Sequence, residues 1–262
     1  MIPVDLNCSA SGPDDAPVLL LGGSLGTTLD MWDPQVPELS ATHRVIRFEH
    51  RGHGGSPVPT GPYTMDDLGN DALTMLDRLD LARVSYCGLS IGGMVGQWLA
   101  INAPERIDRL ILLCTAPHLP PASAWRERAA AVRAAGTPEV VADAVIGRWF
   151  TPAYAASHPD VVAPYRAMIA GIDPEGYAGC CEAIASMDLR SGLPAITAPT
   201  LVVSGRQDPS IPPEHGEAIA AAVPGARLEI LDPAAHLASV ERAEAVTSLI
   251  AGHLAGRAQG MS

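Results

Sequence analysis

The chain has 262 residues, 47% of them hydrophobic and 18% charged, with a formal net charge of −12. That length suits one large domain, and the composition excludes a disordered chain. The acidic balance argues against nucleic acid as a partner, and it means that any anionic ligand needs a cation placed locally to hold it. No apolar stretch reaches transmembrane length and no secretory leader pattern opens the chain, so no membrane attachment is expected and the expected compartment is the cytoplasm. The five cysteines Cys8, Cys87, Cys114, Cys180 and Cys181 are odd in number and form no C-x-x-C pair. Two lie inside apolar runs, so free buried thiols are expected, with no metal site.

In chain order, short aliphatic runs occupy residues 18–21, 44–49, 84–88, 110–114, 201–204 and 228–231. Such runs suit strands of a parallel sheet covered on both faces. Helical periodicity falls at 65–79, 91–101, 215–222 and 241–254. Alternation of strand and helix implies right-handed crossovers and a doubly wound, mostly parallel sheet. The rhythm breaks between about residues 119 and 191, where Ala-rich stretches at 123–135 and 139–146 are punctuated by Pro138, Pro152, Pro159, Pro164 and Pro174. Prolines at that spacing start and stop short helices. The chain is therefore expected to divide into a core of residues 1–118 and 192–262 and a helical cap of 119–191. Residues 256–262 are expected to form a frayed tail.

Gly88-Leu89-Ser90-Ile91-Gly92 matches G-x-S-x-G between a buried run and a helical pattern. This is the setting of the nucleophile turn in α/β hydrolases, which the segment resembles. A sharp turn strains the serine backbone, and glycines on either side let strand and helix approach. The bland alternative is a Gly-rich turn with a capping serine, for which strand and helix on the two sides would be incidental. A serine hydroxyl needs a base, and in this fold the order is serine, acid, histidine. His236 follows the run 228–231 by a short loop, where catalytic groups gather at strand ends. His118 and His158 belong to the cap, while His215 and His253 fall on helices and are expected to be solvated. Asp208 closes Leu201-Val202-Val203-Ser204-Gly205-Arg206-Gln207-Asp208 at another strand end and is the expected acid. The bland alternative is that Asp208, an Asp before a Pro, is a turn or N-cap residue; Asp232 is a second candidate, but it sits only four residues before His236 on the same short loop, and Asp208 is preferred.

One oxyanion donor is expected from the amide of Ile91, at the head of the helix after Ser90. The other is expected from Leu25 in the loop Gly22-Gly23-Ser24-Leu25-Gly26-Thr27. That loop lacks the Lys and the spacing of a phosphate-binding loop. Arg51-Gly52-His53-Gly54-Gly55-Ser56 could be a basic site, but it reads better as a structural turn held by Glu49 and Arg51 through charge-assisted hydrogen bonds.

Several segments resemble bacterial 3-oxoadipate enol-lactonases. They are Ser24-Leu25-Gly26-Thr27-Thr28-Leu29-Asp30-Met31-Trp32-Asp33-Pro34-Gln35, Cys87-Gly88-Leu89-Ser90-Ile91-Gly92-Gly93 and, in the cap, Arg148-Trp149-Phe150-Thr151. Gly176-Tyr177-Ala178, Cys181-Glu182-Ala183-Ile184, Asp188-Leu189-Arg190, Ala235-His236-Leu237 and Glu241-Arg242-Ala243 are similar to that family too. The resemblance spans nearly the whole chain and implies the triad Ser90, Asp208 and His236. It also implies a cofactor-free opening of a small anionic lactone in aromatic degradation by the β-ketoadipate pathway.

The substrate carboxylate would need a cap arginine. Of Arg126, Arg128, Arg133, Arg148, Arg166 and Arg190, the expectation falls on Arg148, with Trp149 and Trp125 as apolar wall, unless Arg148 pairs with a cap carboxylate. Two departures from the family stand out. The usual opening β-hairpin is reduced to residues 1–10, so loss of an edge strand or a shortened start is expected, and no decarboxylase activity of the kind some relatives carry in a C-terminal domain is expected. Competing readings are a carboxylesterase or perhydrolase on the same fold, or a non-catalytic small-molecule receptor. Haloalkane dehalogenation needs Asp where Ser90 stands.

Overall fold

A computed structural model describes residues 1–256. Of the tail expected at 256–262, all but Gly256 lie outside the described residues. Seven strands form one sheet: β1 (Cys8–Ser11), β2 (Val18–Gly22), β3 (Arg44–Phe48), β4 (Val84–Leu89), β5 (Ile107–Leu113), β6 (Thr200–Gly205) and β7 (Arg227–Leu231). Their order is β1-β3-β2-β4-β5-β6-β7, and every pairing is parallel except that of β1 with β3. β4 stands in the centre and is buried at every residue, as are nearly all of β2 and all of β6. Such strands are apolar on both faces because helices cover both. Truncating one of these leucines to alanine removes about 2–5 kcal/mol.

The covering helices are α1 (Val36–Leu39), α2 (Met65–Arg78), α3 (Ile91–Asn102), α4 (Ala122–Ala135), α5 (Glu139–Trp149), α6 (Pro152–Ser157), α7 (Pro159–Ala170), α8 (Pro174–Ser186), α9 (Pro213–Ala222), α10 (Ala238–Glu241) and α11 (Ala243–Leu254). Local chemistry starts several of them. Thr64 and Asp67 form a reciprocal capping box on α2, Asp173 accepts from the amides of Glu175 and Gly176 at the head of α8, and prolines open α6 through α9. Helices α4 to α8 follow β5 and precede β6, and they form the cap over the C-terminal ends of the strands.

Three expectations change. An edge strand is retained, since β1 pairs antiparallel with β3 from Cys8 against Phe48 to Ser11 against Val45. The helix expected over 241–254 begins two residues later, at Ala243, because Arg242, whose φ of −127° is not helical, separates it from α10. His253 is buried rather than solvated, and its Nε2–H donates to the carbonyl of Pro199 at 3.0 Å. The four cysteines other than Cys8 are buried free thiols, and burial pushes all four thiols up in pKa. Among the described residues, no helix is long and apolar enough to cross a membrane.

Candidate active site

Ser90 sits between β4 and α3 with φ 58° and ψ −118°, outside the regions that L-residues ordinarily occupy. The surroundings impose this. The Ser90 amide donates to Leu113 O at 3.0 Å, and the Ser90 carbonyl accepts from Met94 N–H and from Thr115 Oγ1–H. A Cβ on Gly88 would lie 2.3 Å from the Gly92 carbonyl carbon, and one on Gly92 would lie 2.2 Å from Gly22 O. Only glycine permits that approach of strand, helix and neighbouring loop. Tyr86, inside β4, donates its hydroxyl to Gly92 O at 2.8 Å and fixes the head of α3.

Asp208 follows β6 and is buried. Its Oδ1 accepts from the amides of Ser210 and Ile211 at 2.8 and 3.0 Å, and its Oδ2 accepts from His236 Nδ1–H at 2.7 Å. With Nδ1 carrying the proton, the Nε2 lone pair is left as a base. Asp232 is turned elsewhere, toward Gln207 and Arg206. The histidine loop is pinned on both sides of the ring. Ala235 N–H donates to Glu241 Oε2 at 3.0 Å, and Leu237 N–H donates to Trp149 O at 2.8 Å. Glu241 also accepts from the Thr151 hydroxyl and, at 3.3 Å, from the Thr151 amide. The cap segment 149–151 is therefore bonded to both flanks of His236.

Ser90 and His236 line one cleft of about 360 Å³, counted to its open mouth, together with Ser24, Leu25, Trp125, Arg128, Arg148 and Trp149. In the loop after β2, the amides of Ser24, Gly26, Thr27 and Thr28 find acceptors in Met31 Sδ, His53 Nε2, Ser24 O and Met168 Sδ. The Leu25 amide has none among the described residues. Likewise the amides of Ser90 and Gly92 are bonded and that of Ile91 is not. Backbone donors are nearly always paired when buried. Two that are spare, one at each side of the nucleophile turn, can receive a developing oxyanion.

The cap arginines divide sharply. Arg133 pairs with Glu175 and Glu182, Arg166 with Asp143 and Glu139, and Arg190 with Asp188. Arg126, Arg128 and Arg148 have no carboxylate partner within the described residues, and of these Arg128 and Arg148 line the cleft. Nothing in the sequence singles Arg128 out among the six cap arginines; its guanidinium stacks over the Trp125 ring at 4.6 Å, a helical neighbour three residues away. The turn after β3 is structural, as expected, but Arg51 acts differently from the expectation. It forms a buried bidentate pair with Asp71, at 2.6 and 2.7 Å, while the Glu49 carboxylate holds the loop through Gly55 N–H and is itself bonded by Asn7 Nδ2.

A strained serine at the head of a central helix, with a histidine held by a carboxylate at a later strand end, is the arrangement of α/β hydrolases. The model of the α/β-hydrolase fold family matches residues 16–141 and 153–243, and the chain belongs to that family. It is a carboxylic ester hydrolase by its homologues. The 3-oxoadipate enol-lactonase 2 of Acinetobacter baylyi is 40% identical over 92% of this chain and 90% of its own. The crystal structure of the enol-lactonase from Burkholderia xenovorans LB400 superposes with a TM-score of 0.94 at 42% identity, covering 96% of this chain and 97% of that one. A malate-bound thermophilic esterase from Thermogutta terrifontis has a TM-score of 0.90 at 32% identity, over 97% of this chain and 94% of that one.

Proposed function

We propose that this hydrolase opens 3-oxoadipate enol-lactone to 3-oxoadipate, with Ser90, His236 and Asp208 as its triad and the amides of Leu25 and Ile91 as its oxyanion hole. The observation that carries the substrate choice is the pair Arg128 and Arg148, two cations with no carboxylate partner among the described residues, lining the cleft that holds Ser90 in a chain of net charge −12. A cation with no carboxylate beside it suits an anionic ligand, and guanidinium matches a carboxylate in two-point geometry. Relatives whose names state the lactonase activity, and a related esterase with a dicarboxylate bound, point the same way. Trp149 and Trp125 form the apolar wall beside the ring.

In this reading Ser90 Oγ attacks the lactone carbonyl while its proton passes to His236 Nε2. Asp208 holds the resulting imidazolium. The oxyanion is received by the two spare amides, each contributing about 3 kcal/mol to the transition state. Collapse breaks the ring C–O bond. The leaving group is an enolate, which takes the proton back from His236 and tautomerises to the ketone. Water, deprotonated by His236, then attacks the acyl-enzyme and releases Ser90. No step calls for a metal or a cofactor, and the reading places the enzyme in the cytoplasm within the β-ketoadipate pathway.

Lactone depletion, with p-nitrophenyl acetate as the neutral control, tests the proposal. A kcat/KM for the lactone well above that for the neutral ester is expected, and Ser90→Ala should abolish both. Equal turnover of the two substrates would replace it with a general carboxylesterase, the reading next in line because an esterase shares the fold at 32% identity.

A further inference from the structure

We infer that His53 is a positioning residue for the oxyanion hole: its Nε2 lone pair holds the Gly26 amide and thereby sets the direction of the Leu25 N–H. The inference rests on the reading of Leu25 and Ile91 as oxyanion donors. Two peptide planes meet at Leu25, and their orientations decide where its N–H points. The plane that carries the Leu25 N–H is pinned through the Ser24 carbonyl, which accepts from Thr27 N–H at 3.1 Å and Thr27 Oγ1–H at 2.8 Å. The following plane is pinned by Gly26 N–H, which donates to His53 Nε2 at 3.0 Å. Gly26 has φ +88°, a left-handed conformation suited to glycine within the turn that Thr27 N–H closes onto Ser24 O, and His53 Nε2 is the acceptor that holds the amide in the middle of that turn.

The bond dictates the tautomer of His53. Because Nε2 accepts, the proton is on Nδ1, and it faces the carbonyl of Arg51 at 3.3 Å. His50 does the converse. Its Nε2–H donates to Gly23 O at 3.1 Å, and the same carbonyl accepts from Gly92 N–H, also at 3.1 Å. The loop after β2, the turn after β3 and the nucleophile turn are thereby joined by hydrogen bonds on either side of Leu25. Both rings are buried, edge to face with centroids 6.2 Å apart. Burial draws His53 down to about 4 and His50 to about 3, so both stay neutral, as an accepting Nε2 on His53 requires.

The test compares His53→Leu, which fills the space without an acceptor, with His53→Gln, whose Oε1 can take the place of Nε2. Readouts are kcat and KM for p-nitrophenyl acetate, the Ki of a small alkyl trifluoromethyl ketone that adds to Ser90 as an oxyanion, and Tm. Loss of one oxyanion donor costs roughly 100- to 1,000-fold in kcat, and a misplaced one somewhat less. We expect His53→Leu to lose roughly 30- to 300-fold in kcat with KM within about threefold, the ketone weakening in parallel with kcat. His53→Gln should stay within about fivefold of wild type. If His53→Leu does not fold, His53→Asn, whose amide is too short to reach Gly26, replaces it with the same expectations.

The proposal is overturned if the variant without an acceptor keeps its kcat, if KM and Ki rise together as in a general collapse of the cleft, or if a folded His53→Gln is damaged as badly. Fluorophosphonate labelling separates the two levels. Labelled Ser90 with an unimpaired variant overturns the role of His53 alone, whereas a wild-type enzyme that does not label overturns the reading of the site and this inference with it.

Discussion

Glu241→Ala should loosen the histidine loop and the cap together, and its cost can be worked from the structure. The carboxylate accepts from Ala235 N–H, from the Thr151 hydroxyl and from the Thr151 amide. Stranding a buried donor costs about 1–3 kcal/mol, so three stranded donors set a ceiling of about 9 kcal/mol. The carboxylate lies at the edge of a groove lined by Thr151, Tyr154, Gln207, Pro233 and Arg242. Water from that groove can reach part of the gap and bring the net loss to about 2–4 kcal/mol. Glu241→Gln should lose less than about 1 kcal/mol, because one amide oxygen can accept from both backbone donors while its NH2 group donates to the Thr151 hydroxyl. Urea unfolding at pH 7 measures the first quantity, and kcat on a neutral ester follows the histidine. We expect kcat of Glu241→Ala to fall about tenfold, since Ala235 precedes His236. An alanine variant within about 0.5 kcal/mol of wild type would refute the reasoning. A glutamine variant as unstable as alanine would show that charge, and not the bonding pattern, matters.

Asp208→Asn should lower kcat about 10⁴-fold with little change in Tm, because an amide in its place favours the wrong histidine tautomer; a loss under tenfold would contradict the role given to Asp208. Arg148→Ala and Arg128→Ala are each expected to raise KM for the anionic lactone about tenfold or more while leaving p-nitrophenyl acetate nearly unchanged, and equal losses on both substrates would rule out an anion-binding role. Gly176→Ala should destabilise the fold by about 2–4 kcal/mol in urea unfolding, as its Cβ would sit 2.1 Å from Gly52 O with only backbone to yield; a neutral result would mean that α8 can slide. Stability should also fall in acid. His50 and His53 have folded-state values of about 3 and about 4 against an ordinary 6.5, so the unfolded chain binds protons that the folded one refuses. The stabilisation is complete above pH 6.5 and is lost as the pH drops toward the folded values, by about 4 kcal/mol at pH 5. Urea midpoints that do not change between pH 7 and pH 5 would contradict this.

The parallel sheet was legible because strands such as β2 and β6 are apolar on both faces, a pattern that needs no knowledge of neighbours. Ser90, Asp208 and His236 were legible for a related reason: each stands where a buried run ends, and the fold gathers those ends. What escaped was decided at long range. β1 reads Cys8-Ser9-Ala10-Ser11, with no run of its own, and becomes a strand because the edge of β3 is free to pair. His253 looked solvated on an amphipathic helix, yet it is buried by the carbonyl of Pro199, 54 residues away in the chain. Arg128 could not be told from Arg133 by spacing. The difference is that Glu175 and Glu182 of α8 reach one and not the other.

The cap is fastened at two separated places. At one, Trp149 and Thr151 are bonded to the histidine loop; at the other, α8 meets the turn after β3 backbone to backbone through Gly52 and Gly176, with Glu175 accepting from Gly61 N–H at 2.7 Å. Any motion of the cap as a body would break the hydrogen bonds that flank His236, so the position of the cap and the placement of the base are coupled.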